Sequence, residues 1–483
     1  MKQEKMPIVE ALTRYQQKER VSLHTPGHKQ GRALPEAVAH LAGPFAAWDA
    51  TELPGLDDLY APSGPIAQAQ ELAAAAFGCD ATHFLVGGST AGNLAAILAT
   101  VGAEDLVLVV RNAHHSVWGA LELARAKVVV LTPPPVRSTT GLSLWGPLQA
   151  GQLQAALQRH PDAKALIVTS PTYEGVASDV QALVAMAHEA GLVVLVDEAH
   201  GVHLPFHPDL PTSAVQAGAD MVVQSAHKMA AALTQTGFLH LNGKSVDSRA
   251  ILTALRTVQT SSPSYLLLAS LDALRAQLAA QGRRRIDKAL CLLRETALRL
   301  RRECPDLLVE IGVRQAVDPF KWVLDARAYG YDGCSLARKL WEQHGIFVEL
   351  CDEHRVLLLW TYGNGRLDVE RVIAALIELC PAKARALDER TGSSAEDGWD
   401  TPEPDARIDA WPRSVAMVQV PLDCAAGRRA GAPVIAYPPG IPLALRGERF
   451  TARVCERIAR LVEHGVRVDG VDPLAGTVCC LEE

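Results

Sequence analysis

From about Glu71 to Asn242 the chain alternates short runs of Val, Ile and Leu with longer helix-like stretches rich in Ala and Leu. The runs are Leu106 to Val110, Val128 to Leu131, Ala165 to Val168, Leu192 to Val196 and Met221 to Val223. This rhythm predicts an α/β domain with a mostly parallel sheet. Turn and breaker residues follow most of the runs, and polar side chains gather there, at the carboxyl ends of strands where α/β folds place chemistry. A long helical pattern between about Asp272 and Cys304 leads into a smaller α/β unit, with strand candidates at Phe347 to Leu350 and Val356 to Leu359. The stretch Ala382 to Arg413 lacks apolar periodicity and is rich in Ala, Pro, Asp, Glu, Gly and Ser, which reads as a linker or loop. The expected division is an N-terminal arm over 1–50, a large domain over 51–282, a small α/β domain over 283–381, a linker over 382–413 and a C-terminal domain over 414–483. No solenoid-type repeat interrupts this plan.

Composition narrows the class. A chain of 483 residues with 48% apolar and 21% charged residues has the material for two or three domains and the balance of a globular enzyme. The apolar stretches Leu94 to Val110 and Leu183 to Val196 are interrupted by Glu104 and Asp105 or by His188 and Glu189, so neither reads as a membrane span. A net charge of -7 argues against non-specific nucleic-acid binding. The basic run Arg283 to Arg285, with Arg294, Arg299, Arg301 and Arg302, is interleaved with Asp287, Glu295 and Glu303 and reads as a solvated helix face. Ten cysteines without a C-x-x-C pair indicate neither a zinc site nor a disulfide framework, and reduced thiols point to the cytoplasm. The N-terminus, with Lys2, Glu4 and Lys5 and no apolar core, does not read as a signal peptide.

The chemistry concentrates at strand ends. Gln224-Ser225-Ala226-His227-Lys228 directly follows the Met221 to Val223 run. A lysine there loses hydration, and an easily deprotonated amine is the nucleophile that captures an aldehyde. One run upstream, Val194 to His200 ends in Asp197-Glu198-Ala199-His200. A carboxylate at that place can pair with the pyridinium nitrogen of pyridoxal phosphate (PLP) and keep the ring electron-withdrawing. Ala199 lets a flat ring approach, and His200 is within reach of the ring oxygen or the substrate. Asp197 also has the simpler reading of a helix cap. Asp-Glu-Ala-His is equally the nucleotide-hydrolysing box of helicases, but the only near match to a phosphate loop, Gly237 to Ser245, has one residue too many between its glycines and follows the box.

Two further segments complete the set. Val86-Gly87-Gly88-Ser89-Thr90-Ala91-Gly92-Asn93 joins an apolar run to a helical pattern, and such a turn offers N–H groups and the Ser89 and Thr90 hydroxyls to a phosphate. Ser225 and His227 are additional phosphate donors. Arg111-Asn112-Ala113-His114-His115-Ser116 follows the Leu106 to Val110 run, and His114 is the candidate to stack on the outer ring face.

With these residues the chain resembles the bacterial ornithine/lysine/arginine decarboxylases, fold type I PLP enzymes of the aspartate aminotransferase fold, in their short form without an N-terminal wing domain. The resemblance is carried by His24-Thr25-Pro26-Gly27-His28-Lys29, Leu56-Asp57-Asp58-Leu59 with Ser63-Gly64-Pro65, the Ser-x-His-Lys at Lys228, Thr260-Ser261-Ser262-Pro263-Ser264-Tyr265 and Tyr437-Pro438-Pro439-Gly440-Ile441-Pro442. It implies a PLP-binding large domain with a mostly parallel sheet, a smaller α/β domain and a C-terminal domain. It also implies a homodimer or dimer of dimers with shared active sites, in which Ser261 contacts the phosphate bound by the partner chain. Ser89, Thr90, His114, Asp197, Ala199, Ser225, His227 and Lys228 become cofactor residues, Lys228 and His200 catalytic ones, and no metal is implied. Glu349, in Ile346-Phe347-Val348-Glu349, matches the stretch where the family carries an acidic residue near the substrate side chain; it also reads simply as a surface Glu at a strand end. Three positions depart from relatives: His115 stands where many have Lys, His200 where the long forms have an aromatic, and Leu445-Arg446-Gly447-Glu448 where a Pro-Gly-Glu turn is usual.

The expected activity is decarboxylation of a basic L-amino acid, arginine ahead of lysine or ornithine, to carbon dioxide and a di- or polyamine precursor. Lys228 would carry the cofactor as an imine and serve, with a nearby His, as candidate proton donor to Cα. The alternatives are another fold type I reaction, such as α-oxoamine synthesis, and a catalytically silent homologue that binds a partner.

Overall fold

The computed structural model describes residues 2–17, 21–312, 315–382, 406–408, 411 and 416–482. They form two compact units, one of Met1–Thr100 with Val193–Arg285 and the other of Val101–Leu192 with Ile286–Glu483.

In the first unit, strand Ala81–Leu85 pairs antiparallel with Gly237–Leu241, which pairs antiparallel with Met221–Ser225, which runs parallel to Val193–Asp197. Helix Gly88–Thr100 lies close against these strands because Gly92 carries no side chain: a Cβ there would come within 2.7 Å of both Leu85 and Val223. Helix Pro65–Phe77 is capped from a distance in sequence. Asp57 accepts the N–H groups of Ser63, Gly64 and Ile66 at 2.7–3.0 Å; burial pushes its carboxyl up, but the N–H groups of Ser63, Asp58, Gly64 and Ala67 hold it below the usual range. The Asp57 and Ser63-Gly64-Pro65 motifs are thus two halves of one turn. Tyr265 donates to the Asp57 carbonyl and Tyr60 to the Thr260 carbonyl at 2.6 Å, so the Thr260 to Tyr265 motif rests on the same turn. The N-terminal helix Pro7–Gln16 is held by a buried pair: Asp272 accepts from Ile8 N at 2.8 Å and from Arg275, which also donates to the Gln3 carbonyl.

In the second unit, strands Ala165–Thr169, Leu106–Val110 and Lys127–Leu131 are parallel neighbours in that order. Every residue of Leu106–Val110 is buried, as expected of a parallel strand covered on both faces. Ala406–Ile408, inside the stretch expected as a linker, adds antiparallel to Lys127–Leu131; nearly all the rest of 382–413 lies outside the described residues. A small antiparallel sheet has the order Lys321–Leu324, Val356–Leu359, Leu350–Cys351, with helices Gly333–His344 and Arg366–Leu379. The strand expected from Phe347 starts only at Leu350; Phe347 is exposed, and Glu349 is tied to the sheet by its N–H, which donates to Leu357 O at 3.0 Å. The C-terminal segment has its own core of Val420, Val434, Phe450, Ile458 and Val478 between short strands and helix Ala452–Glu463.

The expected long helix is Tyr265–Glu303, and its arginines from Arg283 onward are exposed. No helix among the described residues is long and apolar enough to cross a membrane.

Candidate active site

The first unit holds the amine, the carboxylate and the anion turn. The sheet carries Asp197 to the end of its strand, where it is fully buried. Its Oδ2 accepts from Asn93 Nδ2 at 2.9 Å and its Oδ1 from Ala199 N at 3.2 Å. Burial pushes the Asp197 carboxyl up, while the positive charge of Lys228, then these two donors, pull it down. Lys228, just past the neighbouring strand, is half-buried with Nζ 3.4 Å from Nε2 of buried His200. Ala199 is half-buried between Asp197 and His200.

The turn before helix Gly88–Thr100 is shaped by buried Gln259, whose Oε1 accepts from Val86 N at 2.8 Å and Gly87 N at 3.2 Å. Gly88 N donates to Gln235 O at 2.8 Å, with Gly88 at a φ of +69° that favours glycine. Ser89 and Thr90 then supply the first-turn N–H groups that a helix cannot satisfy internally, which is the donor arrangement an anion takes. Fully buried Ser225 donates to Ser89 Oγ at 2.9 Å, joining the Lys228 strand to this turn. Gly237 must be glycine for that approach, since a Cβ would sit 3.3 Å from Ser89 N and 2.8 Å from Gln224 O.

His227 departs in detail from its expected role. Its Nδ1 lies 3.0 Å from the Thr236 carbonyl, which can only accept, so the proton sits on Nδ1 and Nε2 donates only in the imidazolium form. Burial, and then the Lys228 charge, lower its pKa; a phosphate dianion would act the other way. Ser261 is exposed, beside the residues that brace the anion turn.

Beneath these groups runs a buried polar chain. Gln224 donates to Glu198 at 2.6 Å and lies 3.1 Å from His240 Nε2, whose Nδ1 is 2.9 Å from Thr82 Oγ1. Glu198 also accepts from Ser213 Oγ and Ala214 N, each at 2.7 Å. Burial still pushes Glu198 up to about 7 and His240 down to about 3. This chain locks the register of the strands that carry Asp197 and Lys228.

The second unit holds His114 and Glu349. His114 caps helix His115–Ala124, its Nδ1 accepting from Ser116 N at 3.2 Å. Its ring lies against Gly440, where a Cβ would come within 2.8 Å of Nε2; His115 N donates to Gly440 O at 2.9 Å. Buried Arg111 grips the same loop through the carbonyls of Pro442 at 2.8 Å and Leu443 at 3.1 Å, and pairs with Glu448 at 3.4 Å. The Tyr437 to Pro442 motif therefore braces the strand tip that carries His114. Glu448 also accepts from Leu445 N at 2.7 Å, closing the divergent Leu445 to Glu448 turn. Glu349 accepts from the Tyr173 hydroxyl at 2.5 Å.

Sequence reasoning named neither Gln259 nor Tyr173, and it quoted Asn93 without a role. The available signal for Tyr173 was its place after the Ala165 run, in Pro171-Thr172-Tyr173-Glu174-Gly175, a turn at a strand's carboxyl end.

Residues 6–326 match the family model described as Orn/Lys/Arg decarboxylase, major domain. The chain belongs to this family. An arginine decarboxylase of Bacillus subtilis (strain 168) is 35% identical over 97% of this chain and 96% of its own length. An arginine decarboxylase of Bacillus anthracis is 34% identical over 98% and 96%. Among solved structures, lysine decarboxylase A from Pseudomonas aeruginosa superposes with a TM-score of 0.83, covering 99% of this chain and 81% of that one at 23% identity. Fold type I, the PLP-enzyme fold, is thereby confirmed.

As a member of the Orn/Lys/Arg decarboxylase family the chain is a PLP-dependent amino-acid decarboxylase acting on a basic substrate. The first unit fits the cofactor on its own chemistry. A buried carboxylate raised by desolvation is the group that a protonated ring nitrogen would hold ionised. A half-buried amine and a glycine-shaped turn with first-turn N–H donors match the aldehyde and the phosphate.

Proposed function

We propose that this enzyme decarboxylates arginine in preference to lysine or ornithine, releasing carbon dioxide and an amine that serves as a polyamine precursor. The observation that carries the preference is full-length similarity: the arginine decarboxylases named above are 34–35% identical, whereas a lysine decarboxylase of Pseudomonas aeruginosa is 25% identical over 92% of this chain. When bound, PLP supplies the electron sink for the bond that breaks at Cα.

The chain's residues do the rest. Lys228 anchors the cofactor by its amine and returns a proton to Cα, with His200 at 3.4 Å as its relay. Asp197, fixed by Asn93 and Ala199 N, keeps the ring nitrogen protonated. Ser89, Thr90, Ser225 and His227 hold the phosphate, His114 covers one ring face and Ala199 leaves room at the other. Glu349 receives the distal cation of the substrate. The working unit is a cytoplasmic homodimer, or a dimer of dimers, in which Ser261 reaches the phosphate bound by the other subunit. Along the chain we read an arm over 1–50, a cofactor domain over 51–282, a small domain over 283–381, a linker over 382–413 and a C-terminal domain over 414–483.

The test is release of carbon dioxide from arginine, lysine and ornithine by the purified holoenzyme. The reading requires the highest kcat/KM on arginine. Equal or better turnover of lysine or ornithine overturns the preference.

A further inference from the structure

Glu349 does not choose its own orientation. Tyr173 approaches it from a loop that is fixed on every side. Thr172 N donates to Val176 O at 2.8 Å and Thr172 O accepts from Gly175 N at 2.9 Å, which closes the turn around Tyr173. Gly175 sits at a φ of +94°, and a Cβ there would fall 2.8 Å from Lys321 Cβ and Cγ, so this turn and Lys321 pack only because residue 175 is glycine. Buried Lys321 donates to the Tyr173 carbonyl at 3.2 Å and places its ammonium 5.2 Å from the centre of the Tyr173 ring. The next residue, Glu174, is buried in an ion pair with Arg355 at 2.9 Å.

The phenol meets Glu349 Oε1 at 2.5 Å, a short charge-assisted contact. Burial, and then the Glu349 charge, drive the Tyr173 pKa far up, so the hydroxyl keeps its proton and donates at any working pH. Glu349 is held at its other end by its backbone bond to Leu357.

We propose that Tyr173 is a positioning residue for substrate specificity: it fixes the plane of the Glu349 carboxylate, leaving Oε2 to accept a long cationic side chain. The inference rests on the reading of Glu349 as acceptor of the distal cation. A carboxylate held in one orientation loses no further rotamer freedom when the cation arrives, so the benefit falls on binding and not on the bond-breaking step.

The experiment is steady-state kinetics of the holoenzyme with Tyr173→Phe, Glu349→Gln and the double variant. Arginine is the substrate, and L-norleucine, which lacks a distal cation, is a competitive inhibitor. Tyr173→Phe should raise KM for arginine about tenfold with kcat within about threefold, and should leave the norleucine inhibition constant unchanged. The double variant should be no worse than Glu349→Gln alone. If Glu349→Gln raises KM and Tyr173→Phe does not, the positioning role is wrong while the reading of Glu349 stands. If neither variant moves KM, the reading of Glu349 fails and takes the proposal with it. A Tyr173→Phe enzyme that loses norleucine binding or thermal stability along with arginine affinity contradicts the proposal by making Tyr173 a structural support.

Discussion

The two units hold their candidate site residues by different means. In the first, Asp197, Ser225 and Glu198 sit at sheet ends almost without exposure, and each is fixed by neutral hydrogen-bond partners: Asp197 and Glu198 accept from Asn93 and Gln224, and Ser225 donates to Ser89. In the second, His114 and Glu349 stand on loops and strand edges steadied by long side chains, Arg111 on the Tyr437 to Pro442 loop and Lys321 under Tyr173. Groups built into the sheet suit chemistry that never changes, such as the proposed binding of one cofactor. A site built from loops and reaching side chains suits a choice among substrates. The comparison predicts that damage at Lys228 or Asp197 in the first unit removes activity on every substrate, whereas damage at Glu349 in the second redistributes it; His114, the proposed cover of the ring, belongs in its effect with the first group.

The largest effect belongs to Lys228→Ala, which should cut carbon dioxide release from all three basic amino acids by roughly 10³-fold and abolish visible cofactor absorbance. Next is Asp197→Asn, which removes the charge and one of the two acceptor oxygens that Asn93 and Ala199 N use; kcat should fall by about 10²- to 10³-fold with little change in the ranking of substrates. Glu349→Gln tests the other side, with KM for arginine rising about tenfold or more and cofactor absorbance unaltered. Loss of absorbance in that variant would break the division of labour.

The fold was legible where burial is continuous. Leu106–Val110 was read from end to end because a strand covered on both faces is apolar at every position. The strand near Glu349 was misplaced because Phe347 and Val348 look like strand interior, yet Phe347 lies on the surface beside Trp341, ring centres 6.0 Å apart. The motifs around Lys228, Asp197 and the anion turn were visible because each is contiguous. Gln259 and Tyr173 were not: Gln259 braces a turn 172 residues away and Tyr173 meets a carboxylate 176 residues away, pairings that no local pattern encodes. The cap role of Asp57 was hidden for the same reason on a smaller scale, its partners following it by six to nine residues.

A smaller effect probes the buried chain around Glu198 and His240, together with His83, a second imidazole kept neutral nearby on the Ala81–Leu85 strand. His83 and His240 are kept neutral by burial, pushed down to about 4 and about 3. Unfolded imidazoles regain protons below about pH 6.5, so both remove stability as pH falls from there toward 4. Glu198, pushed up to about 7, acts in the opposite sense: between about pH 4.5 and 7 the folded protein keeps a proton that the unfolded chain releases. Glu198→Gln should therefore steepen the loss of stability between pH 6.5 and 4.5 by about one proton, or ~1.4 kcal/mol per pH unit. Urea unfolding midpoints of both proteins across that range measure it, and an unchanged slope would mean that Glu198 ionises in the fold.

The most direct measurement is borohydride reduction of the holoenzyme followed by peptide mapping. The account predicts the cofactor covalently fixed to the peptide containing Lys228, with no turnover of arginine afterwards. Cofactor recovered on a different lysine, or arginine decarboxylation persisting in Lys228→Ala, would contradict it.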